Sequence, residues 1–311
     1  MTRRTPLALV GPTAVGKTDL SLALAESMGA EVVSIDSMLV YRGMDVGTAK
    51  PSDAERARVP HHMIDVAEPS EAFSVVRFQQ AARHVLTKID ERGHAVLLVG
   101  GSGLYFRAVV DDLEFPGTDP GTRTNLERQA AILGPERLYE RLASMDPVAA
   151  ARIEPGNVRR IVRALEVPAI TGRAFSSFAD AWERYDADAV RPAGLRMSRD
   201  LLVGRIRARV VLMLDEGWLD EVRSLVDAGF GGWLTSTQAI GYAELARHLR
   251  GDMTLDDAVE ATVKRTTNLA RRQMAWFRRD PRIRWFDVDE RGAMSAFEAI
   301  RASLSRPWED E

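Results

Sequence analysis

Apolar positions along the chain fall into two kinds of pattern. Leu7-Ala8-Leu9-Val10, Glu31-Val32-Val33-Ser34-Ile35 and Ala95-Val96-Leu97-Leu98-Val99 are short runs bounded by glycine, aspartate or serine. Runs of that length predict strands buried on both faces of a parallel sheet. Between them the period lengthens. Asp19 to Met28 offers Leu20, Leu22, Ala23, Leu24 and Met28 to cover a sheet. Phe73 to Asp90 places Val76, Phe78, Ala81, Ala82, Val85, Leu86 and Ile89 mainly on one helical side. His62 to Val66 predicts one more short strand.

From about Phe115 the texture changes. Asp119-Pro120 and Asp146-Pro147 each read as an N-cap followed by proline at the first helical position. Helical stretches follow over 121–133, 135–144 and 147–152, then another from Asn157, which Pro168 should bend or end. Leu195-Arg196-Met197 predicts a return to the sheet. Helices follow over 201–214, 220–226, 237–249 and 254–279, and Ile283 to Val288 predicts a last strand. The organisation expected is α/β: residues 1–114 as the first part of the core, 115–194 as a mostly helical insertion, and 195–311 as a return to the core with a helical C-terminal region.

Chemistry enters at Gly11-Pro12-Thr13-Ala14-Val15-Gly16-Lys17-Thr18, which fits G-x-x-x-x-G-K-[ST]. The motif has its predicted strand before it and its predicted helix after it, which makes the sheet a P-loop NTPase-like core. The glycines let backbone N–H groups turn inward and the helix N-terminus adds partial positive charge. Lys17 adds a full charge, and the Thr18 hydroxyl can ligate Mg²⁺. Such a loop holds a diphosphate or polyphosphate without saying which.

The second strand ends at Asp36-Ser37. Carboxyl ends of parallel strands share the ligand edge of a sheet, so Asp36 is expected beside the P-loop if strand two is a close neighbour. It could act there as a base, hold Mg²⁺, or simply cap the next segment. Tyr41 to Pro51 has turn residues, charges and no period, and predicts a functional loop. The strand ending at Val99 runs into Gly100-Gly101-Ser102-Gly103, where many P-loop ATPases carry an acid. Adjacent glycines suit close backbone approach to a ligand or form a plain turn.

Composition narrows the picture. The 311 residues are 45% hydrophobic and 28% charged, as in soluble globular proteins. There is no cysteine, which excludes disulfides, thiolate zinc sites and a cysteine nucleophile, and fits a cytoplasmic protein. His61-His62 lack metal-ligand spacing and read as structural. No segment reaches the length of a membrane-spanning helix. The net charge of −3 gives no general affinity for nucleic acid, so such a site needs local asymmetry. Residues 264–284 supply it: Lys264, Arg265, Arg271, Arg272, Arg278, Arg279, Arg282 and Arg284 stand against Asp280 alone. Arg265, Arg272 and Arg279 are spaced by seven and share a predicted face, covering about 20 Å at roughly 1.5 Å per residue. Trp276, Phe277 and Trp285 could stack bases or fill the core. Arg159, Arg160 and Arg163 lie within one turn and suit either RNA or a solvated surface.

These residues carry a resemblance. Gly11 to Thr18, Asp36-Ser37, the Tyr41–Pro51 loop, Pro60-His61-His62, Gly100 to Tyr105, Arg163 to Glu166, Gly241-Tyr242 and Arg272-Gln273 together resemble the tRNA dimethylallyltransferase (isopentenyltransferase) family, over about residues 6–287. The resemblance implies transfer of a dimethylallyl group from dimethylallyl diphosphate to the N6 amine of the adenosine just 3′ of the tRNA anticodon, with release of diphosphate. It implies that the P-loop holds the diphosphate with Mg²⁺, that Asp36 is the general base, and that Arg223 in Glu221-Val222-Arg223 stands near the diphosphate. It further implies tRNA contacts from Asp36, Ser37, Met38, Leu39, Ser102, Arg123, Arg159, Arg160, Ile161, Val162, Arg163, Gln238, Gly241, Tyr242, Arg271, Arg272, Gln273 and Arg279, with the helical insertion gripping the anticodon arm. Ser102 stands where threonine is usual, Ala243 where a basic residue often follows, Thr267 for an arginine and Ala275 for a threonine. The chain is expected to act as a monomer. The P-loop alone also admits a small-molecule kinase using Asp36 as base, or an RNA-binding switch controlled by a nucleotide.

Overall fold

Every residue of β1 (Leu7–Val10) is buried, and its side chains divide by alternation. Ala8 and Val10 join one apolar cluster, Leu7 and Leu9 another, as the two-residue period of a strand requires. The computed structural model describes residues 4–305. They divide into two compact units, one running to Val110 and resuming at Asp186, the other spanning Asp111–Tyr185.

The first unit continues from β1 through α1 (Lys17–Met28), β2 (Ala30–Ser34), α2 (Asp53–Arg58), β3 (His61–His62), α3 (Val75–Glu91), β4 (Ala95–Gly100) and α4 (Gly103–Val110). The second unit holds α5 (Pro120–Leu133), α6 (Pro135–Met145), α7 (Pro147–Ala150) and α8 (Val158–Thr171). Its own core gathers Leu126, Leu138, Leu142, Ile161 and Leu165. The chain returns to the first unit with β5 (Arg191–Met197), α9 (Arg199–Asp215), α10 (Trp218–Asp227), α11 (Tyr242–Leu249), α12 (Leu255–Phe277), β6 (Arg284–Val288) and α13 (Phe297–Ser305).

All pairings in the sheet are parallel, in the order β3-β2-β4-β1-β5-β6. β1 therefore lies between β4 and β5, where the winding changes side, and ligands of such sheets collect at the carboxyl ends of the strands at that point. β2 is not adjacent to β1, because β4 stands between them. At the sheet edge, β3 is tied to β2 by a buried carboxylate. His62 Nε2 and Arg92 Nη2 each meet Glu31 Oε2 at 2.6 Å, and His94 Nδ1 meets Oε1 at 2.7 Å.

Several expected boundaries move for local reasons. β3 is two residues long because Met63 and Asp65 take positive φ, +62° and +55°. β5 starts at Arg191, earlier than Leu195, although Pro192 and Gly194 interrupt its apolar run. Arg191 N donates to Pro6 O on the β1 side, and β6 begins only opposite Ala193, so the N–H missing from Pro192 removes no ladder bond. α8 passes through Pro168 and ends three residues later, where Gly172 N donates to Pro168 O at 3.0 Å. α11 starts at Tyr242 rather than at 237. α13 has no counterpart in the sequence pattern, yet buries Ile300 and Leu304 in the cluster of Leu7 and Leu9.

Candidate active site

The loop between β1 and α1 is held in a specific shape. Ala14 takes φ +64°, uncommon for a residue with a side chain and a mark of functional loops. Lys17 Nζ donates to Gly11 O at 3.0 Å and Pro12 O at 2.7 Å. Thr13 N donates to Gln273 Oε1 at 2.9 Å. Pro12 and Val15 are buried, while Thr13, Ala14, Gly16 and Thr18 remain partly accessible. Burial lowers the Lys17 ammonium to about 7; the charge of Asp36 pushes it back up, and Arg209 pushes it further down.

Asp36 follows β2 and belongs to the same electrostatic neighbourhood. Its Oδ1 accepts Met38 N at 2.8 Å, and its own N–H donates to Ser34 Oγ at 3.2 Å. That is a local turn rather than a helix cap. The bond fixes the carboxylate through one oxygen and leaves Oδ2 for other work. The charge of Asp36 acts on Lys17 past the end of β4, where Gly100 and Gly101 carry no side chains. A Cβ on Gly100 would lie 2.7 Å from Ile35 Cγ1, and one on Gly101 would lie 2.4 Å from Gln273 Nε2 and 3.2 Å from Gly11 O. The glycine pair thus packs β2, the phosphate loop and α12 against one another.

The sequence reading missed the arginines beside the loop. Arg209 in α9 is half-buried, has no ion pair among the described residues, and interacts with both Asp36 and Lys17. Burial pushes its guanidinium below its ordinary value and Asp36 opposes the shift. One turn earlier, Arg205 Nη2 lies 3.4 Å from where a Cβ on Gly16 would stand. Their i, i+4 spacing was the available signal. Arg223 is not part of this group. It is exposed on α10 and pairs with Asp220. From the same motif it is Glu221 that turns inward, accepting Asp45 N and Gly47 N.

Beside Arg209 lies a cavity of about 70 Å³, lined by Thr13, Ala14, Ile206, Val210, Trp218 and Ile240 among others. Ile206, Val210, Met213, Trp218 and Ile240 give it an apolar side, and Thr13, Thr48, Thr262, Thr266 and Arg209 a polar one. An anionic head with a short apolar tail fits that division.

The residues expected to face RNA separate into two sets. Ser37, Met38 and Leu39 are half-buried at the carboxyl edge beyond β2. Ser102 Oγ accepts Tyr105 N at 3.3 Å and caps α4. Arg159, Arg160, Arg271, Arg272 and Arg279 are exposed and have no ion pair among the described residues, and Gln238 is exposed too. Ile161 and Val162, by contrast, are buried in the core of the second unit, at 0% and 3% exposure, and present no side chain to a partner. Arg123 and Arg163 each reach Glu166 Oε2 at 2.7 Å, a fully buried carboxylate that they neutralise. Gly241 and Tyr242 are buried, as is Gln273. The predicted seven-spaced face also changes: Arg265 pairs with buried Glu244, and Arg279 stands beyond the end of α12; elsewhere in the basic stretch, Arg282 pairs with buried Asp280.

Comparison with known proteins shows which family the chain resembles. A family model described as IPP transferase matches residues 39–280. The chain is 46% identical to a tRNA dimethylallyltransferase of Desulforudis audaxviator, over 94% of this chain and 95% of that one. It is 49% identical to one from Kineococcus radiotolerans, over 91% of each chain. Among solved structures, it is similar to the tRNA isopentenylpyrophosphate transferase of Bacillus halodurans, at 41% identity, 97% coverage of both chains and a TM-score of 0.69. It also resembles a eukaryotic dimethylallyltransferase acting on tRNA, at 25% identity, 96% coverage of this chain, 77% of that chain, and a TM-score of 0.81.

Proposed function

The chain belongs to the IPP transferase family, and we propose from its site how it performs that family's reaction. It is a prenyl-transferring enzyme that moves a dimethylallyl group from dimethylallyl diphosphate to the N6 amine of the adenosine 3′-adjacent to the tRNA anticodon, releasing diphosphate. Neither a kinase nor a nucleotide switch is favoured by relatives that match over nine-tenths of the chain.

The observation that carries the division of labour is the meeting of Asp36, Lys17 and Arg209 in one electrostatic neighbourhood. An exocyclic adenine amine is a poor nucleophile. Asp36 would take its proton through the free oxygen while the new N–C bond forms and the C–O bond to diphosphate breaks. Charge then gathers on the leaving diphosphate, where Lys17, Arg209, Arg205 and the loop amides would stabilise it. The apolar side of the cavity beside Arg209 would take the dimethylallyl tail and exclude water from the allylic carbon.

Mg²⁺ fits the site only as a companion of the diphosphate. The described residues hold no group of three or more histidine, cysteine or acidic ligands. A hard ion held by the Thr18 hydroxyl would keep most of its shell from diphosphate oxygens and water, and would neutralise leaving-group charge. The exposed arginines 159, 160, 271, 272 and 279 would hold the tRNA backbone. We place the enzyme in the cytoplasm, working as a monomer. No helix of the described residues is long and apolar enough to cross a membrane.

Asp36→Asn tests the assignment. It keeps the shape but removes charge and basicity, so single-turnover prenyl transfer should fall about 10²–10⁴-fold. Donor affinity and melting temperature should hold. Mass spectrometry of tRNA nucleosides reads the product, and near-normal turnover in a folded Asp36→Asn protein would refute the base.

A further inference from the structure

The loop between β2 and α2 has no ladder of its own, yet three successive amides in it converge on one side chain from α10. Glu221 Oε2 accepts Asp45 N at 2.7 Å and Val46 N at 2.8 Å, and Oε1 accepts Gly47 N at 3.2 Å. The Tyr242 hydroxyl, at the start of α11, donates to the same Oε1 at 2.7 Å. One carboxylate therefore ties the loop to two helices.

We propose that Glu221 is a positioning residue for the prenyl donor, setting the wall against which the donor's tail lies. The proposal rests on the donor reading given above. Gly47 and Thr48 border the cavity beside Arg209 together with Trp218. A Cβ on Gly47 would lie 2.0 Å from Trp218 Nε1, and one on Gly241 would lie 2.0 Å from Trp218 Cη2. The indole is thus wedged between two glycine backbones. Its Nε1 is buried without a protein hydrogen-bond partner among the described residues, so shape rather than a hydrogen bond holds the ring. Each glycine is tied to Glu221: Gly47 by its own amide, Gly241 through the hydroxyl of the next residue, Tyr242. Tyr242 packs edge-on against Trp218 at 5.6 Å between ring centroids. Weakening the clamp frees the loop, the indole and so the cavity wall, while the P-loop, Lys17 and Arg209 are untouched. The predicted signature is loss of grip on the tail without loss of grip on the diphosphate.

The test compares E221Q and Y242F with the wild type. E221Q places an N–H among amides that need an acceptor, and Y242F removes one of the four donors. Donor KM, tRNA KM, inorganic diphosphate affinity and melting temperature are measured on each. For E221Q, donor KM should rise about 10- to 100-fold, the scale of a small misplacement at a reacting group. Inorganic diphosphate affinity and tRNA KM should stay within about twofold. Y242F should shift donor KM the same way by less. A lower melting temperature with unchanged donor KM would overturn the proposal and leave Glu221 as a fold contact only. Should E221Q fail to fold, an unchanged donor KM in Y242F overturns it equally. Wild-type protein that binds no diphosphate, or binds it equally well as Lys17→Ala, would overturn the donor reading and the proposal with it.

Discussion

Gln273 accepts the backbone N–H of Thr13 through its Oε1 at 2.9 Å, and so joins α12 to the phosphate loop. The two residues are 260 positions apart in the chain. Gln273 is only 9% exposed and its amide packs over Gly101. A glutamine near the C-terminal end of α12, beside Arg271 and Arg272, thus serves the loop proposed to grip the donor.

Gln273→Leu should therefore weaken the donor and spare the tRNA. The change leaves the Thr13 amide without its acceptor, a loss of about 1–3 kcal/mol. Donor affinity should drop on the order of tenfold. Separate titrations with donor and with tRNA read the split; weakened tRNA with intact donor binding would make Gln273 an RNA contact.

Lys17 should make donor binding proton-linked. Its folded value of about 7 lies below the ordinary 10.5, so the folded protein carries fewer protons than the unfolded chain between those values. Stability should rise with pH across that window, and Lys17→Met should flatten the rise. An arriving diphosphate restores the charged ammonium, so binding at pH 8 should take up a proton that binding near pH 6 does not. Calorimetry in buffers of different ionisation enthalpy measures the uptake, and its persistence in Lys17→Met would exclude Lys17 as the source.

Arg209 and Arg223 should part company. Arg209→Gln removes a half-buried cation from beside Asp36 and Lys17, and turnover should fall by about 10²–10³-fold, the range for losing one donor that stabilises developing charge. Arg223→Gln removes an exposed cation paired with Asp220, a type of pair worth about 0–1 kcal/mol. Its kinetics should stay near wild type, and the reverse ranking would return Arg223 to the diphosphate.

Charge reversals along α12 should fall into two classes. Arg272→Glu and Arg279→Glu should weaken tRNA binding and lower its salt slope by roughly one phosphate each, with melting unchanged. Arg265→Glu should instead lower the melting temperature, because it sets a second carboxylate beside buried Glu244. Filter binding across a salt series, run beside thermal melts, distinguishes them.

The sequence by itself determined whatever depends on neighbouring residues. The apolar runs of β1, β2 and β4, the P-loop between Gly11 and Thr18, and the Asp-Pro starts of α5 and α7 were legible because each is set by local backbone preference and a short period. The segment from Tyr41 to Pro51 was legible as a loop, from its turn residues and its lack of a period. The helix α13 and strand β5 were not fully legible. Their pattern is weak or broken by Pro192 and Gly194, and long-range pairing compensates. The tertiary structure alone decided which basic residues are free and which are occupied. Arg123, Arg163, Arg265 and Arg282 read like Arg159, Arg160 and Arg272, and differ only in having a buried carboxylate within reach. It also decided that Arg209, not Arg223, stands beside the P-loop, and that Glu221 from the same motif as Arg223 accepts the amides of Asp45 and Gly47. A linear pattern gives the face of a helix but not its neighbour. Charges and hydrogen bonds act over a few ångströms in space, and those few ångströms join residues up to 260 positions apart.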